Sequence, residues 1–321
     1  MKAAIVNGPN QTPVYSDFRD PLAQKGHELI TVTASALSRA AKGLAAGSQS
    51  TSSGFFPRVV GIDGVGTTQS GRRVYFSMPA APFGGMAERT LVLAENCLPL
   101  PDEVEDVVAA AIANPGLSSV AALKARADLK AGETVLVNGA TGTAGKLAVQ
   151  LAKYLGAGKV IATGRDAATL QQLKHLGADI TLNLTLERKD LEAALGELFG
   201  GDGVDIVLDY LSGDYANQLL ATIAQTSKSP KPIRYVVVGG VSGQPITLPP
   251  RVLGAVPIAI MGSSFGSVPW QRFMQAVSDV LQAVVPADLQ ITTLVVPLST
   301  VEKTWNEDTG KARVVFLPQE S

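Results

Sequence analysis

The feature that most constrains the fold is a strict alternation of apolar strand-like and helix-like segments beginning at Thr134. Strands that are apolar on both faces and alternate with helices indicate a parallel sheet with helices on each side. The sequence therefore predicts an α/β fold with a six-stranded, parallel, doubly wound sheet. The predicted strands are Thr134–Asn138, Lys159–Thr163, Ile180–Asn183, Val204–Asp209, Ile233–Val238 and Val256–Met261.

The strongest local motif joins the first of these strands to its helix. It reads VLVNGATGTAGKLAVQLAK over residues 135–153, with glycines at 139, 142 and 145. Such glycines provide a tight turn, close backbone approach to a pyrophosphate and room for the helix to pack on the strand. The following helix N-terminus offers amide N–H groups to phosphate oxygens. The motif predicts a Rossmann-type nucleotide site at Asn138, Gly139, Ala140, Thr141, Gly142, Thr143, Ala144 and Gly145.

The second predicted strand ends in Gly164-Arg165 rather than in an acidic residue. A carboxylate there would bind the ribose 2′-hydroxyl of NAD, whereas an arginine can neutralise a 2′-phosphate. Arg165 therefore predicts NADPH as the cofactor. The alternative is a solvated loop arginine beside Asp166.

The remaining segments predict a second, discontinuous domain. Residues 1–112 carry short Val-, Ile- and Thr-rich runs punctuated by Gly, Pro and Ser, which is typical of β-structure. Helices are predicted at Val104–Ala113 and Leu117–Ala127, broken by Asn114-Pro115-Gly116. The helix-like Trp270–Val284 and the strand-like Asp288–Val296 and Ala312–Phe316 are expected to return to this β-rich domain. The predicted boundaries are 1–112 with 266–321 for the β-rich domain, and 113–265 for the nucleotide-binding domain.

Composition excludes several function classes. The net charge of −1 disfavours a nucleic-acid-binding surface. One cysteine and two histidines exclude an internal disulfide and disfavour a zinc site. Neither a signal peptide nor a membrane span is expected, since the apolar stretch Val252–Met261 is too short to cross a bilayer. These observations predict a cytoplasmic protein without zinc, nucleic acid or membrane.

Short motifs along nearly the whole chain resemble those of one known family. They are PRVVG at 57–61, GGMAE at 84–88, NPGLS at 114–118, the glycine-rich segment, LGAD at 176–179, GVDIVLD at 203–209 and GKARVVFLP at 310–318. In this order they are similar to the medium-chain dehydrogenase/reductase superfamily, in its zinc-free quinone oxidoreductase branch. The resemblance implies that the β-rich domain is GroES-like and that the nicotinamide lies in a cleft between the domains. The further cofactor contacts that it implies, beyond the loop and Arg165, are Ser118, Gly164, Asp209, Tyr210, Gly239, Gly240, Val241, Ser263, Ser264 and Phe265.

Several positions depart from this family pattern. Gly61-Ile62-Asp63 stands where zinc-dependent relatives carry Gly-His-Glu, and Ser38-Arg39-Ala40-Ala41 replaces a common Asn-Pro-x-Asp turn. Leu184 replaces a tyrosine that often touches the 2′-phosphate, and Met86 replaces a tyrosine in Gly-Gly-Tyr-Ala-Glu. The departures affect substrate contacts more than the cofactor class.

We predict direct hydride transfer from NADPH to a quinone or an electron-poor enone, because a hydroquinone anion can take its proton from water. No catalytic acid is identified. The candidate pocket residues are Ser38, Arg39, Phe55, Phe56, Met86 and Phe265. Two alternatives remain: an NADPH-binding sensor or partner-binding protein with little turnover, and an enoyl thioester reductase. The predicted sixth strand is apolar and lies at a sheet edge, which predicts a homodimer formed through it.

Overall fold

The computed structural model describes residues 1–47 and 56–318. Phe55 and most of the 45–56 segment lie outside the described residues. The chain forms two compact units, Met1–Asn114 with Gln290–Ser321, and Pro115–Leu289.

The first unit consists mainly of strands. In chain order its first elements are β1 (Lys2–Val6), β2 (Val14–Asp17), β3 (His27–Ala36), α1 (Arg39–Ala45), β4 (Arg58–Val59), β5 (Asp63–Thr68), β6 (Arg73–Ser77), β7 (Arg89–Leu93), β8 (Cys97–Pro99) and the first half of α2 (Asp106–Val120). The second unit adds β9 (Thr134–Asn138), α3 (Thr143–Tyr154), β10 (Lys159–Gly164), α4 (Ala167–His175), β11 (Ile180–Asn183), α5 (Arg188–Gly200), β12 (Ile206–Asp209), α6 (Gly213–Thr226), β13 (Ile233–Val237), α7 (Pro250–Ala255), β14 (Ile258–Gly262) and α8 (Trp270–Ala283). The chain then returns to the first unit with β15 (Thr293–Pro297), α9 (Val301–Thr304) and β16 (Arg313–Leu317).

The described residues of the first unit form two sheets. One has the order β2-β1-β4, and the other has the order β15-β16-β3-β5-β6-β8 with β7 paired to β3. Neighbouring strands run antiparallel except β15 and β16, which run parallel. The core beneath the smaller sheet includes Val6, Met86, Trp305 and Phe316. This mixed β-structure is a separate unit from the parallel sheet, as the sequence predicts.

The second unit, all of whose residues are described, contains the predicted six-stranded parallel sheet. Its strand order is β11-β10-β9-β12-β13-β14. The order reverses between β9 and β12, and such a switch point opens a crevice at the carboxyl ends of the strands. The doubly wound fold class is therefore confirmed.

Both faces of this sheet are buried, which explains why its strands are continuously apolar. Val135 and Val137 of β9 pack with Ala148 of α3 on one face. Leu136, between them in the sequence, packs with Phe199 of α5 on the other face. Successive strand side chains point to opposite faces, so only a strand covered on both sides requires an uninterrupted apolar run.

Two sequence-based boundaries differ from the structure. The predicted break at residues 114–116 is wrong, because α2 continues through Pro115 and is followed by a π-helical turn, Ala121–Arg126. The helix α8, predicted for the β-rich domain, lies in the second unit. A Cβ on Gly116 would lie 2.8 Å from Val280 of α8, so this glycine allows the two helices to pack closely.

The continuous helix also bears on whether the described residues include a membrane-spanning segment. Among the described residues, Asp106–Arg126 is long and apolar enough to cross a bilayer by length and composition. However, 72% of its most apolar 18-residue window is buried inside the protein, as is usual for a core helix. The sequence pattern, which divides this stretch in two, does not reveal it as a single apolar helix.

Candidate cofactor site

The glycine-rich loop between β9 and α3 forms a tightly packed turn. Gly139 has φ +92°, a left-handed conformation that glycine adopts without strain. A Cβ on Gly145 would lie 2.3 Å from the Gly139 carbonyl oxygen, so the first turn of α3 could not approach the loop this closely with any other residue. These two glycines have the conformational and packing roles that the motif predicts.

Gly142 has a different environment, because it lies where a ligand would approach. A Cβ on Gly142 would have no neighbour closer than the Gly139 carbonyl oxygen, at 4.0 Å. Gly142 is the N-cap of α3 and provides no side-chain hydrogen bond to the first turn. The first amides of a helix have no intrahelical acceptor, so this end of α3 offers N–H donors to phosphate oxygens. The loop therefore fits a pyrophosphate group.

Arg165 follows β10, the strand next to β9 in the sheet. Its side chain is exposed and has neither an ion pair nor a hydrogen bond with another described residue. A Cβ on Gly164 would lie 2.3 Å from Cγ2 of Thr141, so the residue before Arg165 packs directly against the glycine-rich loop. Asp166 is the N-cap of α4 and accepts a hydrogen bond from the Thr169 amide. The guanidinium is thus available beside the loop for a phosphate.

A buried polar network joins four adjacent strands at the carboxyl edge of the sheet. The Thr163 hydroxyl donates to Asn138 Oδ1 at 2.8 Å, and Asn138 Nδ2 donates to Asp209 Oδ1 at 2.9 Å. The Tyr235 hydroxyl donates to Asp209 Oδ2 at 3.0 Å. All four side chains are fully buried. Asn138 and Asp209 are predicted cofactor contacts, and their side chains are buried and hydrogen-bonded to each other within this network.

Tyr210 also faces inward. Its hydroxyl is 2.9 Å from the Ser119 hydroxyl, and burial raises its pKa. The neighbouring Ser118 hydroxyl donates to the Pro115 carbonyl within α2. The Tyr210 side chain therefore packs in the core of this unit.

The turns after β13 and β14 are next to this network. The amide of Gly239 donates to the Asp209 carbonyl, while Val241 is exposed. Ser263 is buried, and its hydroxyl has no hydrogen-bond partner among the described residues, which include the whole second unit. Ser264 donates its amide to the Ser267 hydroxyl, and the exposed Phe265 packs against the rings of Trp270 and Phe273. An unpaired buried hydroxyl at the carboxyl edge is an available hydrogen-bonding group for a polar ligand.

The predicted substrate residues of the first unit have mixed environments. The Ser38 hydroxyl caps α1 by accepting from the Ala41 amide, and Arg39 is exposed. Phe56 is half-buried against the core that contains Trp305. The prediction for Met86 is wrong, because its side chain is 0% exposed and belongs to that core, where it cannot line a pocket.

Several residues of the site are absent from the sequence prediction. Thr163 and Tyr235 complete the buried network, and Ser212, directly before α6, has a strained backbone with φ 59°. The sequence signal that could have identified Tyr235 is a tyrosine within a predicted buried strand, because a buried tyrosine hydroxyl usually has a hydrogen-bond partner.

Potential metal-ligating side chains are not clustered in the described part of the chain. Among the described residues, no group of three or more His, Cys, Asp or Glu side chains is placed to hold a metal ion. Asp63 stands where zinc-dependent relatives carry glutamate, but it is 1% exposed and accepts a hydrogen bond from the Tyr75 hydroxyl at 2.7 Å. These contacts give Asp63 a place in a buried polar cluster.

Comparison with known proteins agrees with this geometry. The family model described as "Zinc-binding dehydrogenase" matches residues 144–282, a segment within the second unit. The chain is 28% identical to a probable NADPH-dependent quinone reductase, tdiC, of Emericella nidulans, over 99% of this chain and 100% of that protein. It is 32% identical to quinone oxidoreductase-like protein 2 of Bos taurus, over 65% of this chain and 57% of that protein.

A solved structure extends the likeness to the whole fold. The quinone oxidoreductase of Thermus thermophilus, whose complex with NADPH is also described, superposes with a TM-score of 0.79 and 26% identity. The match covers 99% of this chain and 100% of that one. The resemblance seen in the sequence motifs is thereby confirmed. The chain belongs to the medium-chain dehydrogenase/reductase superfamily of oxidoreductases, in its quinone oxidoreductase-like branch.

Proposed function

We propose that this protein is a zinc-independent, NADPH-dependent oxidoreductase that transfers a hydride to a quinone or an electron-poor enone. The observation that carries the proposal is the glycine-built loop between β9 and α3 with the unpaired Arg165 beside it. The loop offers amide donors for the pyrophosphate, and Arg165 offers a guanidinium for the 2′-phosphate. The relative named as a probable NADPH-dependent quinone reductase and the quinone oxidoreductase described in complex with NADPH support the same assignment.

The acceptor follows from the chemistry that this chain can supply. Bound NADPH would provide the hydride, and the chain's residues would bind and orient it. A quinone that gains a hydride becomes a hydroquinone anion, which takes one proton from water; an enone gains the hydride at its β-carbon and a proton at its α-carbon. Neither reaction needs a positioned acid. With one cysteine and two histidines in the whole chain, a Lewis-acid zinc site of the usual His and Cys ligands is disfavoured.

The test is NADPH oxidation with a panel of quinones and enones, beside an NADH control. We expect NADPH to be preferred, and we expect Arg165→Gln to weaken NADPH binding by about 30- to 150-fold, because a charge-assisted hydrogen bond contributes roughly 2–3 kcal/mol. NADH binding should not change. Arg188→Gln is the matched control, since Arg188 is exposed and pairs with Glu192 on α5.

Two outcomes would contradict parts of this proposal. Equal loss of NADPH and NADH affinity in Arg165→Gln would remove Arg165 as the selector of the phosphate. Tight NADPH binding without turnover on any acceptor would favour the NADPH-binding sensor.

We further propose a homodimer formed through β14. This strand ends the sheet order and its side chains remain half-exposed. An apolar edge strand with unpaired backbone groups favours pairing with a second copy. Light scattering at micromolar concentration tests this directly, and a monomer mass would contradict it.

A further inference from the structure

Ser212 holds a backbone conformation that its residue type rarely adopts. Its dihedral angles are φ 59° and ψ −165°, a region that is populated almost only by glycine. Three of the other non-glycine residues with positive φ are Asn10, Asp128 and Asp288, whose side chains tolerate positive φ more readily. A serine that is 7% exposed in such a conformation must be held there by its neighbours.

The contacts that hold Ser212 come from two directions. The carboxylate of Asp209 accepts from the amides of Leu211 at 3.0 Å and Ser212 at 3.2 Å. The hydroxyl of Ser212 donates to the Gly239 carbonyl oxygen at 2.9 Å. Ser212 therefore ties the turn after β12 to the turn after β13.

Backbone hydrogen bonds reinforce this tie. The amide of Val241 donates to the Tyr210 carbonyl at 3.1 Å, and the amide of Ser242 donates to the Leu211 carbonyl at 3.0 Å. The two turns, residues 210–212 and 239–242, form one laced unit that we call the double turn.

The double turn also contacts the phosphate loop. A Cβ on Gly139 would lie 2.8 Å from Cδ2 of Leu211, so the Leu211 side chain covers the first glycine of the loop. The double turn and the phosphate loop are therefore neighbours at the carboxyl edge of the sheet.

The topology indicates which half of a dinucleotide the double turn faces. A dinucleotide lies across the switch point, with one half on each side of it. Arg165 follows β10 on one side, so the adenosine half belongs there, and the other half belongs over β12 and β13. The double turn follows those two strands.

We propose that Ser212 is a positioning residue, whose strained backbone and hydroxyl fix the double turn as a rigid support for the nicotinamide half of NADPH. The inference rests on the proposed function. It assigns Ser212 no contact with reacting atoms, since its hydroxyl is already used by Gly239.

The test compares two probes that share the adenosine half. NADPH carries both halves, whereas adenosine 2′,5′-bisphosphate carries only the half assigned to the loop and Arg165. Ser212→Ala removes the hydroxyl and keeps a Cβ, and Ser212→Gly also releases the backbone strain. Ser229→Ala is the control, because the Ser229 hydroxyl also donates to a backbone carbonyl but lies before β13, at the opposite edge of the sheet.

We expect both Ser212 variants to bind NADPH about fivefold more weakly, as for the loss of one hydrogen bond. Binding of NADPH to these variants should also produce a smaller increase in nicotinamide fluorescence, and their turnover should be slower. Both should bind the bisphosphate within about twofold of wild type, as should Ser229→Ala with either probe. Melting temperatures show whether each variant is folded, and Ser212→Gly covers the case in which Ser212→Ala is not.

The contrary outcomes are distinct. Equal weakening for both probes, or a lowered melting temperature with unchanged NADPH affinity and fluorescence, would show that Ser212 is only structural. Wild-type protein that binds neither probe would overturn the proposed function itself. Wild-type binding of both probes with unchanged variants would overturn only the role of Ser212.

Discussion

The two units each bury a carboxylate, and the two are stabilised very differently. Asp209 of the second unit is fully buried and accepts from four donors, which are the Asn138 amide, the Tyr235 hydroxyl and the backbone amides of Leu211 and Ser212. Asp63 of the first unit is equally buried but accepts from the Tyr75 hydroxyl alone, and its Oδ1 has no partner among the described residues.

The missing partners have a measurable consequence. Burial raises the pKa of Asp63 to about 6, against the lowering effects of the Tyr75 hydrogen bond and of nearby Arg313. Arg313 does not form an ion pair with Asp63, and its Nε and Nη2 have no partner among the described residues. A carboxylate surrounded by donors organises backbone turns, whereas one with a single donor makes the fold sensitive to pH.

The largest expected effect comes from removing the well-partnered carboxylate. Asp209→Ala leaves four donors without an acceptor in a buried site, so it should lower the free energy of unfolding by about 3–5 kcal/mol. Denaturant titration measures this loss. Asp205→Ala is the control, because Asp205 Oδ2 accepts from the Thr134 amide and lies just before the same strand. Similar losses of unfolding free energy in the two variants would show that the four donors to Asp209 do not make its removal more costly.

The next effect appears in the pH dependence of Asp63→Asn. The folded-state pKa near 6 lies above the unfolded value of about 3.9, so between these values the folded protein binds more protons than the unfolded chain. Stability from this group is therefore lost as pH rises. The wild-type free energy of unfolding, relative to Asp63→Asn, should fall by about 2–2.5 kcal/mol from pH 4 to pH 7. A difference that stays constant over this range would contradict the argument.

The same contrast shows how far sequence reasoning reaches. The glycine-rich loop and Arg165 could be predicted because turn, strand and helix signals are contiguous in the chain. Asp209 could be placed at the end of a strand, but the direction of its side chain could not be predicted, since its partners Asn138 and Tyr235 lie 71 and 26 residues away. They meet only once the strand order and register are known.

The first unit is harder to predict for the same reason. The motif Gly61-Ile62-Asp63 stands out only for the ligands that it lacks, because nothing local links Asp63 to Tyr75 or to Arg313. The position of Met86 in the GGMAE motif predicts that it lines the substrate pocket, whereas tertiary packing places it in the core. The continuation of α2 through Pro115 likewise depends on tertiary packing around Gly116, which a local pattern does not show.

The smallest effects come from removing one tyrosine hydroxyl from each carboxylate, which makes the comparison sharpest. Tyr75→Phe removes the only hydrogen-bond donor to the Asp63 side chain among the described residues and should cost about 2 kcal/mol at pH 8, as for a hydrogen bond to a charged group. Tyr235→Phe leaves Asp209 with three donors and should cost about 1 kcal/mol. Both tyrosines are fully buried within strands, so each substitution is the control for the other. At pH 4, below the folded-state pKa of Asp63, the cost of Tyr75→Phe should decrease, because a protonated carboxyl group is a weaker acceptor. A larger cost for Tyr235→Phe at pH 8 would reverse the order and mean that the number of donors does not decide how strongly each one is needed.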